Sequence, residues 1–385
     1  MTTEAVAPPP STKSQVLRSF DVTDFPALGG QEEEWRFTPL KRLKGLASLV
    51  VADVPAESAH WPGRSDGKLP EGVSVHSVGR DDSRVGSVLT PFDRVSALAY
   101  NAFDRATVIE VAKEARPEPT VLEVIGGPDD LPAFAHTVID AGAFSESTLI
   151  VQHTGGGVLA DNIEVIVRDG AKLTLVTLAE WDGRAVQAQH IKFQVGRDAR
   201  VVHVQVALGG DLVRQYTSVE YLGRGGEAEL YGLYFADAGQ HLEHRQLVDH
   251  TAPDCRSYVG YRGALQGRSA HTVWVGDVLI RATATGTDTY EINRNLILTD
   301  GARADSIPNL EIETGEVAGA GHASATGRFD DEQLFYLMSR GITEGEARKL
   351  VVRGFFAELV NKIPLPELRE RLGDAIEARL VEAGA

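Results

Sequence analysis

Short strand-like segments recur through the middle of the chain at a spacing of about 28 residues, a period typical of repeat architectures. The segments IDAGAFSESTLIV, VRDGAKLTLVTL, VGRDARVVHVQV and GRGGEAELYGLY align on Ala143, Ala171, Ala199 and Ala228, which follow one another at almost equal steps. Further strand-like segments, such as NIEVIV and HIKFQV, lie between them about half a period away. Repeats made of strands alone predict a β-solenoid with two main strands in each coil.

The predicted fold class is mainly β: a right-handed parallel β-helix of about 28 residues per coil, flanked by N- and C-terminal helical regions. We expect an N-terminal, partly helical region over residues 1–105, of which residues 1–12 are disordered. The β-helix core is predicted over residues 106–328 and a C-terminal helical domain over residues 329–385. An immunoglobulin-like sandwich also contains many short strands, but it does not by itself produce a steady period.

The C-terminal domain follows a junction rich in Gly, Ala and Ser that contains a single histidine, His322. The sequence DDEQ at 330–333 resembles a capping box, which predicts the start of a helix there. In a second helix, Ala347, Val351, Phe355 and Leu359 follow one another at steps of four residues and predict its apolar face. The pattern predicts a third helix from about residue 367 to residue 382.

The tail is rich in aromatic residues for a small helical appendage. Phe335 and Tyr336 lie in its first helix, and Phe355 and Phe356 lie in its second. These side chains either form a core packed on the last coil or, as the sharper alternative, provide a surface for a partner protein.

Composition and charge narrow the class of protein. The chain has 38 Lys and Arg against 55 Asp and Glu, a net charge of −17, which argues against nucleic acid or anionic membranes as partners. The N-terminal residues lack the pattern of a secretory signal, and no apolar run reaches the roughly 18 residues of a membrane span. The interpretation is therefore a cytoplasmic protein without a membrane partner.

Few residues indicate catalytic chemistry, since neither a phosphate-binding loop nor a nucleophile elbow is present. His241, His244 and His250 form the one histidine cluster, but positions i and i+3 of a strand face opposite sides, so surface or core roles are favoured. The single cysteine, Cys255, excludes an internal disulfide and is interpreted as a bystander thiol rather than a ligand. His322 lies among small residues, where a neutral imidazole could bind a metal.

Two segments resemble a known family. TYEINRNLILTDGARADSIPNLEIE and DDEQLFYLMSRGITEGEARKLVVRGFFAEL are similar to the B and D subunits of the Suf iron–sulfur cluster assembly machine, SufB and SufD. The resemblance is specific over residues 240–365 and looser over the remaining repeats. The N-terminal segment EEEWRFTPLKRL and the modest length are similar to SufD rather than SufB.

The resemblance implies a complex with a SufB-like subunit and a SufC-like ABC-type ATPase, which would dock on the C-terminal helices. It also implies that a transient iron–sulfur cluster forms between the B and D subunits, with a histidine that matches His322. The cysteine that SufB carries near residues 304–306 is absent, and Ala320 stands where some D subunits have a cysteine. This chain could therefore hold a cluster only together with a partner.

From the resemblance we expect a non-catalytic scaffold subunit that pairs with a SufB-like subunit through its β-helix edges. The residues expected to contact partners lie in the helical tail and are Phe335, Tyr336, Arg340, Phe355, Phe356 and Leu359. The alternatives are a β-helix enzyme that acts on polysaccharide and a homo-oligomeric structural solenoid. A homodimer of the isolated chain, the cluster type and the binding of a flavin are left open.

Overall fold

The computed structural model of this chain describes residues 16–53, 69–127 and 131–382. The predicted disorder of residues 1–12 lies outside these ranges. Within them the chain forms seventeen β-strands, four α-helices and three short 3-10 helices. No helix of the described ranges is long and apolar enough to cross a membrane.

The strands are mostly nine to twelve residues long after the first three. Their bounds are β1 Val73–Val78, β2 Ala106–Val111, β3 Thr120–Ile125, β4 Pro132–Ala141, β5 Glu146–Gly155, β6 Val158–Val167, β7 Lys172–Trp181, β8 Val186–Val195, β9 Arg200–Leu208, β10 Leu212–Tyr221, β11 Glu227–Ala236, β12 His241–His250, β13 Arg256–Leu265, β14 His271–Ile280, β15 Thr287–Ile297, β16 Arg303–Ile312 and β17 Val317–Arg328. The helices are α1 Arg94–Ala102, α2 Asp331–Ser339, α3 Glu344–Val360 and α4 Pro366–Glu382, and the 3-10 helices are Val22–Asp24, Leu40–Leu43 and Val51–Asp53.

The strands form two sheets that face each other. Sheet 1 contains β1 and the even-numbered strands in the order β1-β2-β4-β6-β8-β10-β12-β14-β16, and sheet 2 contains the odd-numbered strands from β3 to β17. Neighbouring strands are parallel except β1 and β2, which are antiparallel. Consecutive strands alternate between the two sheets, so each coil contributes one strand to sheet 1 and one to sheet 2. The solenoid has about eight such coils. The predicted β-solenoid is therefore confirmed.

The coil length varies along the chain and is greatest in the last coils. In a middle coil the paired residues Gln189 and Gln215 are 26 residues apart, and in a later coil Ser257 and Thr289 are 32 residues apart. The predicted period of about 28 residues lies between these two values, as a repeat period averages unequal coils. Two of the four aligned alanines are nevertheless not structural equivalents. Lys172 pairs with Arg200, so Ala171 and Ala199 occupy equivalent places just before these two residues. Ala228 instead pairs with Val201, and Lys172 pairs with Glu146, so Ala228 and Ala143 are each two residues out of register.

The interior between the sheets is filled by alternate residues of every strand, as the two-residue period of a strand requires. Inward-facing Leu, Val and Ile side chains stack coil on coil, for example Leu175, Leu230 and Val259 of sheet 2, all buried. Parallel sheets need both faces covered, because neither face can be left to water without exposing a hydrophobic surface. The N- and C-terminal regions provide that cover.

The N-terminal region covers the outer face of sheet 1. Trp35, Leu43 and Leu98 are buried there against outward-facing side chains such as Val138 and Leu212. Helix α1 begins at Asp93, whose side chain accepts a hydrogen bond from the backbone N–H of Ser96 and so caps the helix.

The C-terminal helices cover the outer face of sheet 2. Val352, Phe356 and Leu359 of α3 are buried together with Leu233 and Phe235 of β11. Of the predicted apolar face of α3, Ala347 and Leu359 are buried and Phe355 packs half-buried at the border of this core, whereas Val351 lies outside it. Each residue of an α-helix advances about 100° around the axis, so positions at steps of four drift around the helix, whereas residues 352, 356 and 359 lie within about 60° of one another.

We predict that Phe356→Ala lowers the free energy of unfolding by about 3–5 kcal/mol, because it leaves a cavity between α3 and sheet 2. Phe356 is 1% exposed, whereas Phe335 is 74% exposed. The matched change Phe335→Ala should alter stability by less than about 0.5 kcal/mol. Chemical denaturation followed by circular dichroism measures both values, and equal losses would contradict this packing.

Candidate functional site at the terminal coil

The last coil leaves one edge of each sheet uncovered. Strand β16 pairs with β14 alone, and β17 pairs with β15 alone, among the strands the structure describes. The outward positions of β17 carry only small residues, which are Gly319, Gly321, Ala323, Ala325 and Gly327. A free edge without bulky side chains is open to pairing with another strand.

His322 lies in the middle of β17 and faces the interior side of the sheet. It pairs with Glu291 of β15, which in turn pairs with the inward-facing Val259 of β13. The His322 side chain remains 43% exposed, since no further coil lies above it in the described chain. The junction histidine is thus part of a regular strand rather than of a loop, and its imidazole lies at the open end of the solenoid.

Glu291 lies directly beneath His322. Its Oε1 atom is 4.0 Å from the Nδ1 atom of His322, and its side chain is fully buried. Burial and the nearby charge of Asp277 raise the pKa of Glu291 to about 8, although the N–H of Asn309 opposes the shift. Neither carboxyl oxygen has a hydrogen-bond partner of normal geometry within the described residues.

Sequence reasoning missed Glu291. The signal available in the sequence was a charged residue in TYEINRN at a position where the two preceding coils carry Val259 and Leu230. Because the later coils are longer than the predicted period, this position could not be assigned to the inward row before the register was known.

Polar side chains fill the interior of the last coils beside this pair. The Tyr234 hydroxyl donates to Asn295 at 2.8 Å, and Asn293 donates to the same hydroxyl oxygen at 2.8 Å. Asn295 also donates to Asn293 at 2.7 Å and to Thr326 of β17 at 3.4 Å. These bonds hold the terminal strand in register with the coil below it.

His241 faces the opposite side of β12 from His244, as the strand period predicted, while His250 faces the interior like His244 but lies six residues further along the strand. His244 faces the interior and stacks on Tyr234 with a ring separation of 4.7 Å, and burial lowers its pKa to about 3. His241 contacts Glu243 at 3.1 Å, next to the N-terminal region, and His250 contacts Ser257 at 2.9 Å. They do not share a site.

Cys255 is buried, and its Sγ atom lies 3.4 Å from the carbonyl oxygen of Gly223. Burial raises the pKa of the thiol, which therefore is not a ready thiolate ligand. No group of three or more His, Cys, Asp or Glu side chains in the described part of the chain could hold a metal ion. At the open end this chain provides one exposed imidazole and no thiolate, a donor set that fits a shared site only.

The predicted partner-binding residues divide into exposed and buried sets. Phe335 and Tyr336 are 74% and 56% exposed on α2, and the guanidinium of Arg340 lies 5.2 Å from the Tyr336 ring centroid. Phe356 and Leu359, in contrast, are 1% and 3% exposed because they pack on sheet 2. Within this chain these two side chains serve the packing of α3 on sheet 2, and their predicted contact with a partner stays a prediction.

Phe355 has an intermediate position. It is half-buried at the border of α3 and sheet 2, and the guanidinium of Arg262 lies 5.7 Å from its ring centroid. Arg262 also donates to the backbone carbonyl oxygen of Phe355. The ring is thus held by the chain itself, and its predicted contact with a partner stays a prediction.

Comparison with known proteins gives one family. Residues 124–355 match the family model described as "SUF system FeS cluster assembly, SufBD core domain". An iron–sulfur cluster assembly SufBD family protein of Mycobacterium tuberculosis is 52% identical over 385 residues, covering 96% of this chain and 93% of that protein. One of Mycobacterium leprae is 50% identical over 377 residues, covering 96% and 94%. A second SufBD family protein of Mycobacterium tuberculosis is 26% identical over 203 residues, covering 53% of this chain and 24% of that protein.

The raised pKa of Glu291 predicts a pH dependence of stability. Between its ordinary pKa of 4.5 and about 8, the folded chain keeps this proton while the unfolded chain loses it. Because the unfolded state then binds fewer protons, the contribution of Glu291 to the free energy of unfolding falls as the pH rises through this window.

Glu291→Gln should therefore gain stability relative to the unmodified chain between about pH 5 and about pH 8, by at most about 4 kcal/mol. Denaturation curves at a series of pH values measure the difference. Glu316→Gln, the same change at an exposed position before β17, serves as the control. A difference that stays constant with pH, or grows towards low pH, would contradict the assignment.

Proposed function

This chain belongs to the SufBD family of iron–sulfur cluster assembly proteins, and we propose that it acts there as a non-catalytic scaffold subunit of the SufD type. One observation carries the proposal: an exposed imidazole, His322, lies at the open end of the solenoid, between two free sheet edges. The chain offers no thiolate at that place, because its single cysteine is buried elsewhere. It would therefore contribute half of a cluster-assembly site.

The other half is assigned to a SufB-like subunit. Two free edges, β16 and β17, suit strand addition, in which main-chain hydrogen bonds continue the sheets of one subunit into those of another. Two family members, related to this chain at 52% and 26% identity, occur together in Mycobacterium tuberculosis, which supports a pair of unlike subunits. A homodimer through the same edges is the alternative that sizing of the isolated chain would detect.

His322 suits the task of a shared ligand. A neutral imidazole binds iron through a ring nitrogen, and its site can be completed by cysteine thiolates from another chain. The cluster is then a transient product that both subunits hold and release. The alternative of a β-helix enzyme acting on polysaccharide has no support in the family match.

The helical tail is proposed to dock a SufC-like ATPase. Phe335 and Tyr336 expose an aromatic surface on α2 that the described residues leave uncovered, and such surfaces mark protein–protein contacts. Helices α3 and α4 are tied to sheet 2 by ion pairs of Arg262 with Glu358 and of Arg379 with Asp237. Movement imposed on the tail would therefore reach the sheet that contains β17.

We predict that His322→Ala lowers the iron and sulfide content of the assembled complex by more than about tenfold, because a ligand is lost. The tagged chain would be expressed together with its SufB-like and SufC-like partners, purified without oxygen, sized and analysed for iron and sulfide. The control is His76→Ala, which removes an exposed histidine of β1. Normal cluster content in the His322 variant would show that this residue is not a ligand.

We further predict that the double change Phe335→Ala and Tyr336→Ala weakens ATPase binding by about 2 kcal/mol or more, since exposed aromatic anchors dominate such contacts. Titration calorimetry with the purified ATPase gives the affinity. Leu222→Ala, which truncates a side chain 61% exposed away from the tail, is the matched control. An unchanged affinity in a folded double variant would place the ATPase elsewhere.

A further inference from the structure

We propose that Glu291, as a carboxylate, is a positioning residue that orients the imidazole of His322 so that its Nε2 atom faces the partner subunit. The inference rests on His322 being the working residue of the proposed function. It concerns a carboxyl group that neither the family match nor the sequence motifs single out.

The first argument is the register. Glu291 and His322 occupy the same inward-facing row of sheet 2, in which the two preceding coils place Val259 and Leu230. The polar pair thus follows two hydrophobic positions of the row, which also contains the buried His203 one coil before Leu230. Within the pair, the Nδ1 atom of His322 is the one that approaches Oε1 of Glu291, at 4.0 Å. Because Nε2 lies on the far side of the ring from this contact, it is the nitrogen left for an incoming group.

The second argument is the packing of the carboxyl group against the opposite sheet. The Glu291 side chain crosses the interior and ends against Gly276 of sheet 1, where an added Cβ would overlap both its Oε2 atom and the ring of Trp274. The glycine therefore makes room for the carboxyl group. Such a close approach shows that the position of Glu291 is built into both sheets.

The third argument is the lack of compensation. Neither Glu291 oxygen has a hydrogen-bond partner of normal geometry in the described residues, although the backbone N–H of Asn309 lies near the carboxyl group. Trp274 Nε1 and Ser306 Oγ of the same two coils are also buried without a partner in the described residues. Burying a polar group without a partner costs on the order of 1–3 kcal/mol, so an unpaired carboxyl group calls for a functional reason. His322, whose Nδ1 atom is 4.0 Å from Oε1, is a side chain able to use it.

The chemistry follows from general practice at metal sites. A histidine ligand usually donates its second ring N–H to a carboxyl group, which fixes the ring and its tautomer. Here Nδ1–H of His322 would donate to Oε1 of Glu291, and the Nε2 lone pair would face outwards. The separation of 4.0 Å is longer than a hydrogen bond, and one bridging water or a small rotation of the imidazole closes it.

The test observes the tautomer of His322 directly. The full chain would be labelled with ¹⁵N-histidine, and the resonances of His322 identified by their loss in His322→Ala. The proton would be located by two-bond ¹⁵N–¹H correlation above about pH 8, where Glu291 is ionised. We expect the Nδ1–H form in the unmodified chain. Glu291→Met, which keeps the length but lacks the carboxyl group, should shift the population to the Nε2–H form.

Glu291→Gln provides the conservative comparison. Its amide oxygen can still accept from Nδ1–H without the charge, so the variant should retain part of the Nδ1–H population. Glu316→Gln should leave the His322 resonances unchanged. An Nε2–H tautomer in the unmodified chain, or the same tautomer in the Met variant, would overturn the proposal, because Glu291 would then be only a buried side chain.

Cluster content in the assembled complex gives an independent readout. With the complex intact, Glu291→Met should lower iron and sulfide by about tenfold to a hundredfold, the usual loss when the partner of a ligand is removed. If His322→Ala leaves the content unchanged while the tautomer still follows Glu291, the proposed function fails and the positioning role stands. If His322→Ala removes the cluster but the tautomer ignores Glu291, the positioning role fails.

Discussion

The hydrogen-bond ladder between successive coils determines the rest of this structure. Each strand of the solenoid satisfies its backbone groups on the strands one coil before and one coil after it, as β13 does with β11 and β15. A ladder of this kind has no internal reason to stop. It must be ended by a different element or left open for another chain. At one end of the solenoid it is ended by β1, which pairs antiparallel with β2. At the other end, the edges of β16 and β17 are left open among the described strands, and the candidate site residues His322 and Glu291 lie there.

The fold could be predicted from the sequence because the same strand pattern recurs in successive coils, so several segments indicate it independently. Errors in single positions, such as the pairing of Ala143 with Ala171, did not change the period or the fold class. The tail was predictable at the level of its helices, since caps and apolar spacing are local signals. Its buried face was not, because the choice between Phe355 and Phe356 depends on which side of α3 meets sheet 2.

The candidate site divides in the same way. His322 could be selected from the sequence because it stands alone among small residues and because the surrounding segment resembles a known family. Glu291 could not, since its partner across the interior, Gly276, lies in another sheet and its partner along the row, His322, lies one coil later. Because the coils differ in length, residues that are neighbours in successive coils cannot be identified by counting a fixed number of residues along the sequence.

The N-terminal cover has a consequence for the order in which the molecule assembles. Arg245 of β12 binds Glu34 across a sequence separation of 211 residues, and Arg214 of β10 lies over the ring of Trp35 at 3.8 Å. The segment around Trp35 is synthesised first, yet its docking surface exists only after these later strands have formed. Until these strands form, the apolar side chains of the segment lack their final contacts. Most other contacts of the solenoid, in contrast, join neighbouring coils. The coils can thus form one after another during synthesis, whereas the segment around Trp35 can dock fully only after β12 has formed.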